Sequence, residues 1–273
     1  MVIDFHTHIF PEKIASKTVK ALADRSGLTP FTTGDVFDLQ REMTESCTDI
    51  SIALPVVTSP EQFPSITRFA TYINENFSAG DKKVISFGGI HPADDDYKEH
   101  LRELKSLGFA GIKLHPDYQG AFIEDMRYYH IIEEASKLDM IVSVHAGIDI
   151  GMPDPIHCPV DQSLRLIKEV QPTKLILAHL GGWKMWNEVY EKLCGENVWF
   201  DTAVAFGICE DDLFEKIVHS HGADKILFAT DSPWSGQSES LAYLDRLSLS
   251  PEEKEWILCK SAKKLLNMPE STN

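Results

Sequence analysis

The chain has 273 residues, of which 43% are hydrophobic and 25% charged, and its formal net charge at pH 7 is −16. These fractions are typical of globular proteins and argue against long disordered segments. The acidic excess disfavours binding to nucleic acid backbones and to anionic membranes. We therefore expect a small-molecule substrate as the partner, with no nucleic acid and no membrane, and we leave a homodimer open.

Cysteine usage and the first residues bear on the location of the protein. The five cysteines are widely spaced and form no C-x-x-C pair, which fits a reducing compartment. The chain starts with an apolar run that lacks the basic flank of an export signal. No stretch approaches about 18 uninterrupted apolar residues, the length of a membrane span. A cytoplasmic location is expected.

Eight short apolar runs alternate with longer segments of helical or turn-rich pattern, as in proteins with buried parallel strands. The runs lie near residues 2–6, 50–56, 84–90, 111–115, 140–145, 174–179, 198–202 and 225–231. A TIM barrel has eight such strands and typically about 250 residues. The pattern predicts an α/β fold, with residues 1–273 forming a single (β/α)8 TIM-barrel domain.

The segments between the runs show helical features. In residues 97–107, leucines recur at helical spacing. After the eighth run, Ser250 and Glu253 have the spacing of a capping box, which predicts closing helices at the C-terminus. Two connections are long, about forty residues after His8 and residues 147–159. Loops after barrel strands cover the catalytic face, so these two are candidates for a lid or for substrate selection.

Potential metal ligands stand at the ends of the first, fifth and eighth runs. His6 and His8 share one face of the first strand with Cα atoms about 6.5–7 Å apart, so both imidazoles can reach one ion. His145 and Asp231 end strands that lie near the first strand when a barrel closes. This mixed nitrogen and oxygen set predicts one divalent ion. Zn²⁺ suits the set best, with Mn²⁺, Fe²⁺ or Co²⁺ as alternatives.

Four further residues are candidates for the pocket. His179 ends the sixth run and could ligate the ion or stand beside it as an acid, a base or an electrophile. Because four ligands already fill the protein side of the ion, we favour the second role. Lys113 and His115 share a face of the fourth strand. Lys113 could be carbamylated between two metals, pair with a substrate carboxylate or neutralise nearby acids such as Asp4, and the last two roles are both favoured over carbamylation. His115 then either supports a metal ligand or contacts the substrate, and Trp234 forms part of the pocket wall.

The chain resembles the amidohydrolase superfamily, specifically its amidohydrolase-related branch of TIM-barrel metal-dependent hydrolases, in motifs that span nearly all of it. The motifs are His6-x-His8, His115, His145, His179-Leu180-Gly181-Gly182 and Thr230-Asp231-Ser232-Pro233. The resemblance implies that His6, His8, His145 and Asp231 are the metal ligands and that His179 is the catalytic histidine. Binuclear members use a carbamylated lysine of strand four. Lys113 instead lies in a G-I-K-L-H-P context typical of the one-metal branch.

Hydrolysis is the first functional hypothesis. The metal would lower the pKa of bound water toward about 7, Asp231 would take its proton, and the hydroxide would attack an amide, ester or lactone carbonyl. The branch also contains aminocarboxymuconate-semialdehyde decarboxylase-like enzymes, so the alternative is non-oxidative decarboxylation of an aromatic or muconate-type acid. His179 or Asp231 would then supply a proton to carbon. A barrel that binds metal without catalysis is the third alternative.

Overall fold

Parallel strands form the centre of the fold in this computed structural model, which describes residues 1–269. The strands are Ile3–Thr7 (β1), Ile50–Ala53 (β2), Lys83–Ser86 (β3), Gly88–Gly89 (β4), Gly111–Leu114 (β5), Ile141–Val144 (β6), Leu175–Leu177 (β7), Trp199–Asp201 (β8) and Ile226–Leu227 (β9). Every neighbouring pair in the orders β1-β2-β3 and β4 to β9 is parallel. Because Phe87 alone separates β3 from β4, these two are parts of one strand, and eight strand positions result.

Backbone hydrogen bonds join the two sets of strands at both seams. The Phe87 amide donates to the Ala53 carbonyl at 2.9 Å, and the Phe5 amide donates to the Phe228 carbonyl at 2.8 Å. Thr7 also pairs in parallel with Ser232. The first strand therefore lies beside the last, and the predicted TIM-barrel fold is confirmed.

Helices surround the strands. They are Glu12–Ser26 (α1), Val36–Ser46 (α2), Phe63–Asn76 (α3), Tyr97–Ser106 (α4), Pro116–Gln119 (α5), Met126–Lys137 (α6), Val160–Val170 (α7), Trp186–Lys192 (α8), Asp211–His221 (α9), Gln237–Arg246 (α10), Pro251–Glu255 (α11) and Ser261–Leu265 (α12). Two 3₁₀ turns, Pro60–Gln62 and Ala223–Lys225, add to these. Within residues 1–269, no helix has the length and apolar character needed to cross a membrane.

The C-terminal helices close one end of the barrel. The predicted capping box is present, since Glu253 N donates to Ser250 Oγ at 3.2 Å and Ser250 N donates to Glu253 Oε2 at 2.8 Å. The π-helical turn Trp256–Lys260 joins α11 to α12, so these segments form one continuous run. Buried side chains of this run, among them Ala262 and Leu265, pack in one cluster with Ile3 of the barrel interior.

Several strands end earlier than the apolar runs predicted. The backbone of His179 and Asp231 has φ of 60° and 67°, in the left-handed region that side chains other than glycine seldom adopt. A ladder cannot continue through His179, so β7 stops before it. The ladder of β9 already ends at Leu227, because the Phe228 amide donates to the Ile257 carbonyl and the Ala229 amide donates to the side chain of Thr202. Residues held in the left-handed conformation concentrate at functional sites.

Phe87 gives a test of the barrel interior. Its ring is fully buried and meets the ring of Phe5 edge to face, with centroids 5.8 Å apart. We expect Phe87→Ala to lower the free energy of unfolding by about 3–5 kcal/mol, because truncation leaves a cavity in a packed core. Urea denaturation followed by circular dichroism measures this change. The control Phe37→Ala, at a side chain 56% exposed, should cost less than about 1 kcal/mol.

Candidate active site

Three predicted ligands meet where the first and last strands end. The Asp231 amide donates to the His6 carbonyl at 2.8 Å, which places the two residues side by side. Nε2 of His6 lies 3.2 Å from Nε2 of His8. Oδ1 of Asp231 lies 3.2 Å from the first of these nitrogens and 3.0 Å from the second. We call His6, His8 and Asp231 the first cluster.

The hydrogen bonds behind the first cluster fix which ring nitrogens carry protons. Nδ1 of His8 donates to the Leu54 carbonyl at 2.8 Å, and Nδ1 of His6 donates to Oδ2 of Asp201 at 2.9 Å. Burial lowers the pKa of His6 well below its ordinary value, and the positive charge of Lys113 adds to this effect. A neutral His6 therefore turns a lone pair on Nε2 toward the cluster.

The donor set of the first cluster fits a divalent cation. Two imidazole lone pairs and a carboxylate oxygen converge within 3.2 Å of one another. Among residues 1–269, Oδ1 of Asp231 finds no hydrogen bond of good geometry although it is buried. Ligating histidines typically donate their other ring N–H to a carboxylate or a carbonyl, as both histidines do here. A cation would remove the repulsion between these electron pairs.

Asp201 holds two parts of the site, and sequence analysis missed it. Its Oδ2 accepts from His6, while its Oδ1 accepts from the backbone amides of His179 at 2.9 Å and Ala203 at 3.1 Å. The side chain is fully buried. The available signal was an aspartate at the end of the seventh apolar run, Val198-Trp199-Phe200-Asp201.

His179 lies between the first cluster and a second group of polar residues. Its Nδ1 donates to the Ala203 carbonyl at 3.0 Å, so in the neutral ring Nε2 accepts a hydrogen bond from Nδ1 of His145, at 2.9 Å. The ring centroid lies 5.3 Å from that of His6. Trp186 also donates to the His179 carbonyl at 3.0 Å. The position suits the predicted acid or base role.

His145 lies in that second group and not in the first cluster. Its ring stacks on His115 with centroids 4.2 Å apart, and its Nε2 lies 3.9 Å from carboxylate oxygens of both Asp117 and Asp149. Ligand atoms of His115, His145 and Asp149 all lie within 4.8 Å of one another. The role of His145 as a ligand of the first ion stays a prediction, and sequence analysis had singled out neither aspartate.

Lys113 is fully buried beside the first cluster. Its Nζ lies 3.2 Å from Nε2 of His6 and 3.5 Å from Oγ of Ser143. Burial lowers the pKa of Lys113 to about 8, although the charges of Asp201 and Asp231 oppose the shift. Its amine is therefore easier to deprotonate than that of an ordinary lysine.

One cavity of about 570 Å³ collects all the predicted site residues. They are His6, His8, Lys113, His115, His145, His179, Asp231 and Trp234. The two long connections supply much of the opposite wall, with Ile14, Leu22 and Leu28 from one and Ile148 and Ile150 from the other. The cavity is thus polar where the strands end and largely apolar elsewhere.

Solved structures of similar fold cover almost the whole chain. A dihydroxybenzoic acid decarboxylase from Polaromonas sp. JS666, with bound manganese and 2-nitroresorcinol, has a TM-score of 0.74 and 17% identity, covering 99% of this chain and 98% of the other. A 5-carboxyvanillate decarboxylase from Sphingomonas paucimobilis has a TM-score of 0.69 and 13% identity, and the match covers 98% of this chain and 99% of the other. A TIM-barrel protein from Bordetella bronchiseptica has a TM-score of 0.75 and 16% identity, and the match covers 98% of each chain.

Comparison with curated protein sequences gives no match. The family model described as amidohydrolase matches residues 3–268, and these residues include every candidate site residue named above. The resemblance carried by the histidine and aspartate motifs is therefore confirmed over nearly the full length. The chain belongs to the amidohydrolase family.

Proposed function

We propose that the protein is a metal-dependent, non-oxidative carboxy-lyase that acts on an aromatic or muconate-type acid. Two of the solved structures that match over nearly the full chain are decarboxylases of hydroxylated aromatic acids. This likeness favours decarboxylation over the hydrolysis of an amide, ester or lactone, which was the first hypothesis from the sequence. The hydrolase prediction is not confirmed.

The apolar wall of the cavity is the observation that carries the proposal. Side chains such as Ile14, Leu22 and Phe69 face the polar strand ends across a space of about 570 Å³. A carboxylate is poorly solvated next to such a wall, whereas neutral CO₂ loses little solvation free energy there. The surroundings therefore favour release of the carboxylate as CO₂. They also suit a substrate whose body is apolar.

The first cluster would hold the ion. When bound, a divalent cation would act as a Lewis acid and hold an oxygen of the substrate in position. Manganese in the Polaromonas relative supports Mn²⁺ for this position, beside the Zn²⁺ that the donor set suits. Burial would raise the pKa of Asp231, but interactions with His6 and His8 outweigh it and lower the pKa below its ordinary value. Asp231 is therefore an ionised ligand.

His179 would deliver the proton after its Nε2 takes one up from solvent, which requires the hydrogen bond from His145 to that nitrogen to open. The bond between the ring carbon and the carboxylate breaks, a proton from His179 forms the new C–H bond at that carbon, and CO₂ leaves. Lys113 would orient the carboxylate before it is lost, and His115 and Trp234 would bound the substrate. Because Asp231 is an ionised member of the first cluster, His179 is the better placed of the two groups that the sequence offered as proton source.

Reaction in D₂O tests the proposal. We expect Mn²⁺-loaded protein incubated with hydroxybenzoates and muconate semialdehydes to release CO₂ and to place one deuterium on the carbon that carried it. Protein stripped with a chelator is the control and should do neither. Incorporation of oxygen from ¹⁸O-water into products of an ester, amide or lactone panel, without CO₂ release from the acids, would reject the lyase in favour of a hydrolase.

A further inference from the structure

We propose that the substrate is an aromatic acid with a long apolar tail, and that α1 and α3 form the binding site of this tail. The inference rests on the proposed carboxy-lyase function, because it names the class of acid that the same cavity takes. Six cavity-lining residues, which we call the tail site, carry the argument. They are Ile14, Thr18, Leu22, Ser26, Ile66 and Phe69.

The cavity is larger than a single-ring acid needs. Its volume is about 570 Å³, whereas a cavity of about 150 Å³ is enough to hold benzene. Pockets of roughly 300–1,000 Å³ typically bury ligands of drug size. A benzoate with one or two hydroxyl groups would therefore leave a large part of this space unfilled, and the apolar wall would lose contacts there.

One stripe of α1 forms a long part of the wall. Its cavity-lining residues recur every four positions, at Ile14, Thr18, Leu22 and Ser26. Side chains at this spacing share one face of a helix, and at 1.5 Å per residue the stripe runs for about 18 Å. The adjacent stripe packs against the protein through Ala15 and Val19, which are 1% and 3% exposed. The tail site is therefore elongated.

Apolar side chains of the tail site have no partners in the core. Ile14, Leu22 and Ile66 belong to none of the buried apolar clusters that residues 1–269 form, and Ile14 is 49% exposed. Ile66 and Phe69 bring a second helix, α3, to the same cavity. Removal of such surface from water is favourable in proportion to its area. An apolar occupant gains this free energy.

The wall from these two helices carries no charge. Within the described residues, every lysine, arginine, aspartate and glutamate of α1 and α3 lies outside the cavity lining. The charged residues that do line the cavity, such as Lys113, Asp149 and Asp231, lie at strand ends or in the loops after them. A charged tail would lose its hydration at the helices without gaining a partner. The tail is therefore uncharged, and it leaves the ring on the side opposite the carboxylate.

Continuity with the reactive end favours part of the substrate over a second protein as the occupant. The tail site and the first cluster line one cavity. Five residues separate His8 of the first cluster from Ile14 of the tail site. A molecule held at the strand ends can therefore reach both without leaving the cavity.

Binding of 5-n-alkylresorcinols to Mn²⁺-loaded protein tests the tail site, because these phenols carry a ring and a tail but no carboxylate to lose. In isothermal titration calorimetry, Kd should fall about threefold with each methylene from the methyl to the hexyl compound, the change expected when a CH₂ group is buried. The same Kd along the series, or binding of neither end member, would overturn the proposal.

Variants locate the effect. Ile14→Gln/Leu22→Gln should raise Kd for the hexyl compound about tenfold and leave Kd for the methyl compound nearly unchanged, because it removes apolar surface from the tail site alone. Ile208→Gln is the matched control, since Ile208 is 44% exposed and lies outside the cavity lining. It should bind both compounds as the wild type does, and circular dichroism verifies the folding of each variant.

Two results with the double variant would contradict the tail site. One is a gain from methyl to hexyl that survives in Ile14→Gln/Leu22→Gln. The other is a wild-type dimer in solution that this variant dissociates, without any dependence of binding on tail length, which would assign the α1 stripe to a second copy of the protein.

Turnover of 4-n-alkyl-2,6-dihydroxybenzoates separates this proposal from the carboxy-lyase proposal. KM should fall in parallel with Kd as the tail grows. Tail-dependent binding of the resorcinols without CO₂ release from the acids would reject the lyase and keep the tail site. Release of CO₂ with the same KM for 2,6-dihydroxybenzoate and its 4-hexyl derivative would keep the lyase and reject the tail site.

Discussion

Replacing His6 and His8 together with alanine is expected to remove the ion of the first cluster and to lower kcat/KM for decarboxylation by about 10³-fold. The two imidazoles supply two of the three ligand atoms that lie within 3.2 Å of one another. A Lewis acid typically contributes several kcal/mol to a reaction of this kind, and about 4 kcal/mol corresponds to that factor. Metal analysis and steady-state CO₂ release measure the two effects on the same sample.

The control for this variant replaces two exposed histidines, His130 and His219. His130→Ala/His219→Ala should retain metal content and turnover, since neither residue lines the cavity. If the His6→Ala/His8→Ala protein kept its full metal content and its activity, the first cluster would not be the catalytic metal site. Activity that survives complete loss of the ion would instead argue against a metal-dependent reaction.

His179→Asn is expected to reduce kcat by about 10²–10⁴-fold while the metal content stays unchanged. Asparagine can still donate to the Ala203 carbonyl, so the local fold should persist, but it cannot transfer a proton. KM should change little because His179 is assigned to proton delivery and not to holding the substrate. Kinetics over a range of substrate concentrations, with metal analysis of the same preparation, measure all three quantities.

Other outcomes for His179→Asn are informative. Loss of the ion together with activity would make His179 a ligand, the role that sequence analysis weighed against the acid or base role. Unchanged turnover would move the proton source to Asp231, the other group considered. His221→Asn is a matched control, because this buried histidine donates to the Val198 carbonyl at 2.8 Å away from the cavity. It should leave kcat and metal content as in the wild type.

Much of the fold could be predicted because buried parallel strands produce a simple sequence pattern, the continuous apolar run. Eight continuous apolar runs correspond to eight strand positions, and the polar residues after them reach one cavity. The strand ends were less accurate. Left-handed backbone at His179 stops the ladder of β7, and a hydrogen bond from the Ala229 amide to the Thr202 side chain interrupts that of β9. Periodicity carries no information about either change. The single-domain organisation over residues 1–273 stays a prediction.

The parts of the site that escaped prediction depend on contacts between distant segments. Asp201 accepts a hydrogen bond from the ring of His6, 195 positions away in the sequence. The residues next to either of them in the sequence do not predict this contact. Asp117 and Asp149 follow the strand-end histidines by two and four positions, so they read as loop residues. The placement of His145 beside them depends on the direction of one side chain. Motif order defines a ligand set but not how its members divide between neighbouring clusters.

The wall and the reactive end of the cavity come from different parts of the chain. Strand ends provide the histidines and Asp231, while residues of α1 and its flanking loop provide Ile14, Leu22 and Leu28. A substitution in the α1 segment can therefore reshape the space for the substrate body and leave the reactive groups in place. Relatives could in this way diverge in the substrates that they accept while keeping the same reaction. Exchanging this segment between two relatives should transfer the substrate preference and leave the reaction of each unchanged.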